Sequence, residues 1–248
     1  MSRFRAAGIH FLLSIFVALC IFIFMLALWY PGAYFKLMGG GGLLLIMAGI
    51  DVCLGPLLTL VVFKSGKKTL KFDLAIIGIL QFSALIYGAS VMYAARPIFT
   101  VFAIDHFEVV AASDLDDSKL AKAKEPEWRS RSLTGPILVA ALEPVNSKEK
   151  SEVELSSSLG LGLEWYPNLY TSYDSQRQHV LEKSKPLSEL KHDSKQNAED
   201  INNFLKNQSR EESELVFVPI HSSYHKMTAI LDAKNADIVK IIDIDPTK

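Results

Sequence analysis

Three long apolar runs fill the first part of the chain and decide what can surround it. Between Phe11 and Tyr30 there is no Asp, Glu, Lys or Arg, and the run beginning near Ile9 supplies the roughly 20 apolar residues a membrane-crossing helix needs. Comparable runs cover 37–63 and 74–95. Charges crowd in after Arg96. The expected fold is therefore a membrane protein, with three N-terminal transmembrane α-helices at about 9–30, 37–63 and 74–95 forming a domain over 1–96. An α+β periplasmic domain with a mixed or antiparallel sheet should follow over 97–248.

The first run is too long for the apolar core of a signal peptide, which is roughly 7 to 15 residues and ends at a small-residue cleavage site. It closes instead on Leu28-Trp29-Tyr30-Pro31, where Trp29 and Tyr30 fit membrane-interface anchors. Lys and Arg in short loops mark the cytoplasmic side. Arg3 and Arg5 precede the first run, and Lys64, Lys67, Lys68 and Lys71 lie between the second and third, whereas the turn after the first holds only Lys36. These topology determinants predict a cytoplasmic N-terminus and, after three spans, an exported C-terminal domain in a bacterial inner-membrane protein. With no flexible tether after Arg96, that domain is expected close to the membrane surface.

From Pro97 onward the sequence has 25 acidic and 18 basic residues, which argues against nucleic-acid binding. Cys20 and Cys53 both fall in apolar runs, so the exported part must rely on a packed core and not on disulfides.

IFTVFAID and HFEVVAA form a strand pair turning at Asp105-His106. Ser113 caps a helix through DLDDSKLAKAK that ends at Glu125-Pro126. A buried strand lies between Pro136 and Pro144, and a helix spans 147–159. One or two amphipathic helices occupy Ser175 to Gln208, interrupted near Pro186, with Ile201, Phe204 and Leu205 as their apolar stripe. ELVFVPI, HKMTAILDA and ADIVKIIDID are strands, the last two joined by a Lys234-Asn235 turn.

Asp51, within GIDVCLGPLLTLVV, is the residue most out of place. A charge at mid-membrane costs at least ~2.5 kcal/mol and is expected to face a partner or a cavity. Gln81 and Ser83 on the antiparallel third helix fall at similar depth and can hydrogen-bond its carboxyl, which gives a bundle-gluing reading. The alternative is that Asp51 receives a polar group from another membrane helix. Gly55 and Pro56, one turn on, interrupt the helix and admit a partner or water. Gly39 to Gly42 lack the sequel of a phosphate loop and fit close helix packing.

Other constellations carry less. His221 and His225 suggest a metal pair or a Ser/His site but lack a third ligand or an assignable acid. Asp114/Asp116 and Asp243/Asp245 superficially match a sugar-nucleotide D-x-D, yet fit a helix N-terminus and solvent-facing strand positions better. Trp165 and Tyr166 fit core or membrane-proximal positions, with an aromatic protein contact as the alternative. No catalytic, metal or cofactor-binding residue is assigned, no cofactor is expected, and the chain is not expected to be an enzyme.

MSRFRAAGIH, WYPGAYF, GIDVCLGPLLTLVVFKSGKK, LAIIGILQFSALIYGASVMYAARP and FTVFAIDHFEVV together resemble the TfpX/TfpZ family of type IV pilin accessory proteins. The resemblance covers residues 1 to about 112 and returns in VPIHSSYHKMTAILDAKNADIVKIIDIDP. It implies an inner-membrane, non-enzymatic protein that handles the major pilin and supports pilus assembly and twitching motility. Its expected partners are the major type IV pilin, membrane lipid and the pilus assembly machinery. Asp51, Gly55, Pro56, Gln81 and Ser83 then become candidate pilin or helix-packing contacts, Asp51 facing the N-terminal amine of a processed pilin helix. The competing expectation is a membrane enzyme modifying pilin or envelope glycans. A signalling receptor is weaker, because the parts expected in the cytoplasm are too short for an output domain.

Overall fold

The computed structural model describes residues 2–158, 160–193 and 195–247, and within these the side chains of all but 48, 148, 192 and 193. The chain divides into two compact units, Met1–Arg96 and Pro97–Lys248.

The first unit is helical. Helix α1 spans Arg3–Leu28, the short α2 Tyr34–Leu37, α3 Gly40–Gly49, α4 Gly55–Val62 and α5 Leu70–Ala95. A π-helical turn at Ile50–Leu54 joins α3 to α4, so that 40–62 is one continuous helix. Among the described residues, α1, Gly40–Val62 and α5 are long and apolar enough to cross a membrane. Their ends differ from the expected ones for local reasons. The Ser2 hydroxyl accepts the Arg5 amide, so α1 starts in the charged N-terminus instead of near residue 9. At the other end, α5 takes in Lys71 and Asp73, helped by a Thr69 hydroxyl that donates to Asp73 at 3.2 Å and by a 2.6 Å Lys67–Asp73 ion pair.

The glycine run divides its work. Gly39 takes a left-handed turn (φ 68°) ahead of α3, and a Cβ on Gly40 would strike the Phe35 ring at 2.5 Å. Gly41 and Gly42 face open space, so close packing accounts for one of the four.

The second unit is α+β. In chain order it contains β1 (Pro97–Ala103), β2 (His106–Ala111), α6 (Asp117–Leu120), β3 (Ile137–Ala141), α7 (Ser147–Ser158), β4 (Tyr170–Ser172), α8 (Arg177–Lys183), β5 (Lys185–Pro186), α9 (Leu187–Asp193), α10 (Lys195–Gln208), β6 (Leu215–His221), β7 (Lys226–Asp232) and β8 (Ile238–Ile242). The sheet is mixed, in the order β4-β3-β1-β2-β6-β7-β8, with β5 pairing onto β6. Pairs β1/β3 and β2/β6 are parallel, whereas β1/β2, β3/β4, β6/β7 and β7/β8 are antiparallel.

Two large apolar clusters, and a smaller one of Ala103, Val153, Leu163 and Leu169, hold the unit together. Phe99, Val101, Val139, Leu115, Trp128 and Tyr170 form one, with Phe99 and Tyr170 edge to face at 5.3 Å. Leu187, Leu190, Ile201, Phe204, Phe217 and Ile230 form the other, seating the apolar stripe of α10 against β6 and β7. Each large side chain fully buried this way contributes roughly 1.5–3 kcal/mol.

Several expectations need correction. The β1–β2 turn falls on Ile104-Asp105, because His106 already pairs with Ala103. The helix expected from Ser113 is the single turn α6, capped by Asp116, whose side chain accepts the Lys119 amide at 2.8 Å. Upstream, Asp114 takes the Ala111 amide at 2.8 Å and makes a turn of 111–114. The D-x-D pair is thus a turn residue followed by a helix cap. The stretch 175–208 holds three helices, and Pro186 lies in β5, at a strand position that proline tolerates. Strand β4 had no sequence signal. Asp243 and Asp245 follow the end of β8, with Asp245 capping Thr247. Helix α7 ends at Ser158, and residue 159 lies outside the described residues.

Candidate functional site

The first unit gathers polar side chains from three helices into one layer. Asp51, Gly55 and Thr59 recur every four residues, so they lie on one helical face, and all three are buried. His10 and Ser14 repeat that spacing on α1. The His10 ring bridges the other helices, with Nδ1 2.6 Å from Thr59 Oγ1 and Nε2 2.7 Å from Gln81 Oε1.

Gln81 donates its Nε2 to the Asp51 main-chain carbonyl at 3.0 Å. A carbonyl only accepts, so the carboxamide orientation is settled. Its Oε1 therefore accepts from His10, which places a proton on His10 Nε2.

The π-turn explains why the Asp51 carbonyl needs a side-chain donor. In an i→i+5 register its donor is residue 56, and Pro56 has no N–H. Gly55 makes room for the replacement: a Cβ there would lie 2.0 Å from Gln81 Nε2.

The carboxylate itself is left over. Among the described residues Asp51 Oδ1 is buried with no hydrogen-bond partner. It lines a groove of about 290 Å³ with His10, Ser14 and Gln81, between the apolar walls Leu13 and Val17 of α1 and Phe82 and Leu85 of α5. Gln81 thus reaches the Asp51 backbone and not, as expected, its carboxyl. Ser83 lies on an exposed face of α5 and does not line the groove.

Trp29 meets Phe24 and Tyr93 edge to face at 5.5 and 5.2 Å. Tyr30 is fully buried and donates its hydroxyl to the Met92 carbonyl at 2.6 Å, so it ties helices together where an interfacial anchor was expected. Arg3 and Arg5 lie in the first turns of α1. Lys64, Lys67 and Lys68 occupy the α4–α5 connection, and Lys71 begins α5.

Sequence reasoning missed His10, Ser14 and Thr59. The four-residue spacing from Asp51 to Thr59 was the signal available for one of them, and the lone imidazole in an apolar run was the signal for another.

In the second unit, His221 and His225 do not converge. His225 lies beyond β6 and is exposed, whereas His221 ends β6 beside Glu108 and His106 of β2. The fold supplies the acid and the third ligand whose lack set His221 aside. The Glu108 carboxylate 3.3 Å away is the main reason the His106 pKa is pushed up to about 9, with burial opposing and Asp105 adding to it. Trp165 packs beside the Phe99 cluster with the Lys119 ammonium 5.0 Å from its ring centre, and the Tyr166 hydroxyl bonds Ser156 at 2.6 Å.

A family model described as fimbrial assembly protein FimB matches residues 1–39. The chain is 32% identical over 245 residues to the fimbrial assembly protein of serogroup I of Dichelobacter nodosus, covering 97% of this chain and 95% of that one. The serogroup E1 protein of the same organism matches to the same extent. A third relative, for serogroups C1 and C2, is 38% identical over 121 residues, 48% of this chain and 92% of its own. No solved structure matches.

Proposed function

The chain belongs to the fimbrial assembly protein family, a membership compatible with the TfpX/TfpZ resemblance, and we propose that it is an inner-membrane accessory protein that binds the major pilin and promotes its assembly into pili and so twitching motility. In this reading the three long helices span the inner membrane with the N-terminus cytoplasmic, and the α+β unit is periplasmic.

The observation that carries the reading is Asp51 Oδ1, buried without a partner at the floor of a groove with apolar walls. An ionisable side chain in a membrane bundle is costly, and an unsatisfied oxygen there adds to the cost. A second apolar helix bearing an amine or hydroxyl supplies what is missing: side chains to fill the groove and a donor for the carboxylate. A pilin subunit held in the inner membrane by its N-terminal helix has that chemistry.

Photocrosslinking in cells tests it, with probes at the groove residues Leu13 and Phe82 and a control probe at Val61, which is exposed and does not line the groove. Pilin adducts from the groove probes, reduced by Asp51→Ala while the bundle stays folded, are the expected result. Adducts indifferent to probe position and to Asp51→Ala would sink the proposal.

A further inference from the structure

Strands β2 and β6 meet over two residue pairs, Phe107↔Ile220 and Glu108↔His221. This short parallel seam joins the β4-β3-β1-β2 half of the sheet to the β6-β7-β8 half. Side chains alternate across a strand, so His106 and Glu108 share one face of β2. His221, in register with Glu108, projects on the same face.

The result is a convergence on one atom. His106 Nε2 and His221 Nδ1 each lie 3.3 Å from Glu108 Oε1. The two rings stand 4.9 Å apart with their planes at 35°, and one ligand atom from each of the three residues falls within 4.8 Å of the others. A charge-assisted N–H···O bond closes to about 2.7–2.9 Å, so both contacts are long for hydrogen bonds. They match instead the spacing of neighbouring ligands around tetrahedral zinc, roughly 3.3–3.5 Å for metal–ligand distances of about 2.0–2.2 Å.

Two further details point the same way. His106 Nδ1 is 2.8 Å from Asp105 Oδ1, and a carboxylate behind an imidazole keeps a proton on that nitrogen, so that Nε2 is the one a metal takes by displacing its proton. Among the described residues His221 Nε2 is buried with no hydrogen-bond partner, so Nδ1, 3.3 Å from Glu108 Oε1, is the nitrogen this ring can offer an ion.

We propose that His106, Glu108 and His221 bind a divalent first-row transition metal, zinc above others, through His106 Nε2, Glu108 Oε1 and His221 Nδ1, with the fourth position taken by water. Two imidazoles and one carboxylate suit zinc better than the all-oxygen shells of calcium or magnesium. The ligands come from both sides of the β2/β6 seam, so the ion staples the two halves of the sheet together.

The test uses untagged full-length protein in detergent, stripped with chelator, then titrated with Zn²⁺ against a chromophoric competitor and with Co²⁺ for its visible spectrum. One equivalent should bind, with cobalt bands of a four-coordinate site and a zinc-dependent rise in Tm. His221→Ala and Glu108→Gln should each weaken binding at least ~100-fold, and Asp105→Asn roughly 10- to 100-fold, as expected for an outer-shell partner. His225→Ala should change nothing. Binding short of one equivalent, a six-coordinate cobalt spectrum, or equal losses from His225→Ala and His221→Ala would overturn the proposal. Should the ligand variants misfold, the wild-type cobalt spectrum and the response to Asp105→Asn decide it.

Discussion

Gln81 gives its amide to the main chain of Asp51 at 3.0 Å and leaves the Asp51 carboxylate oxygen Oδ1 buried and unpaired. The main-chain hydrogen bond that Pro56 cannot give is thereby replaced from a neighbouring helix, while the carboxyl beside it keeps an unpaired oxygen.

That division predicts opposite effects on stability and function at Asp51. Replacing a buried unsatisfied polar group by an apolar one of similar size is neutral or stabilising, so Asp51→Leu should leave the detergent Tm unchanged or raise it. Pili on cells carrying the variant should nevertheless be lost. A fall in Tm together with normal piliation would assign Asp51 to bundle packing.

Gly55→Ala should displace Gln81, since the new Cβ would lie 2.0 Å from its Nε2. Loss of the His10–Gln81–Asp51 chain of hydrogen bonds is expected to cost about 1–3 kcal/mol. In the Gln81→Ala background the same change should cost much less, because the clash and the bonds are already gone. A double-mutant cycle on thermal unfolding measures that coupling.

Ile104 sits at the centre of the three-residue turn between β1 and β2, with φ 64° and the Asp105 amide 2.8 Å from the Ala103 carbonyl. A β-branched residue is strained there, and its side chain is exposed. Ile104→Gly should stabilise the protein by about 0.5–1 kcal/mol after allowing for the extra freedom of glycine in the unfolded chain. Urea unfolding followed by circular dichroism reads the shift.

Asp232 accepts the Lys234 amide at 2.9 Å and the Arg210 guanidinium at 2.8 Å, and these bonds hold its pKa below the usual carboxylate range. The lowered folded value means that its contribution is present above an unfolded pKa of about 3.9 and is lost as pH falls through the folded one. The Tm difference between wild type and Asp232→Asn should be constant near neutrality and shrink in acid below about pH 4. A difference independent of pH would show that the charge contributes nothing.

Apolar run length and two-residue alternation are local properties, so the long helices and strands β1, β2, β6 and β7 can be read from composition and spacing. Asp51, Gly55 and Thr59 also share a face by spacing alone. Local signals failed where a side chain took over a backbone bond. Asp114 and Asp116 divide the stretch after Ser113 into a turn and a single helical turn, and β4 exists only because its three residues pair with β3.

Sequence alone determined that one part of this chain must bury long apolar helices and that the rest folds as α+β, because the cost of exposing such runs to water does not depend on what they touch. Only the tertiary structure decided that Gln81 faces the Asp51 backbone and that His106, Glu108 and His221 converge. Those meetings depend on helix rotation and on the register of β2 against β6. Both are set by packing between segments far apart in the chain, and a one-residue slip in that register would turn His221 to the opposite face of the sheet.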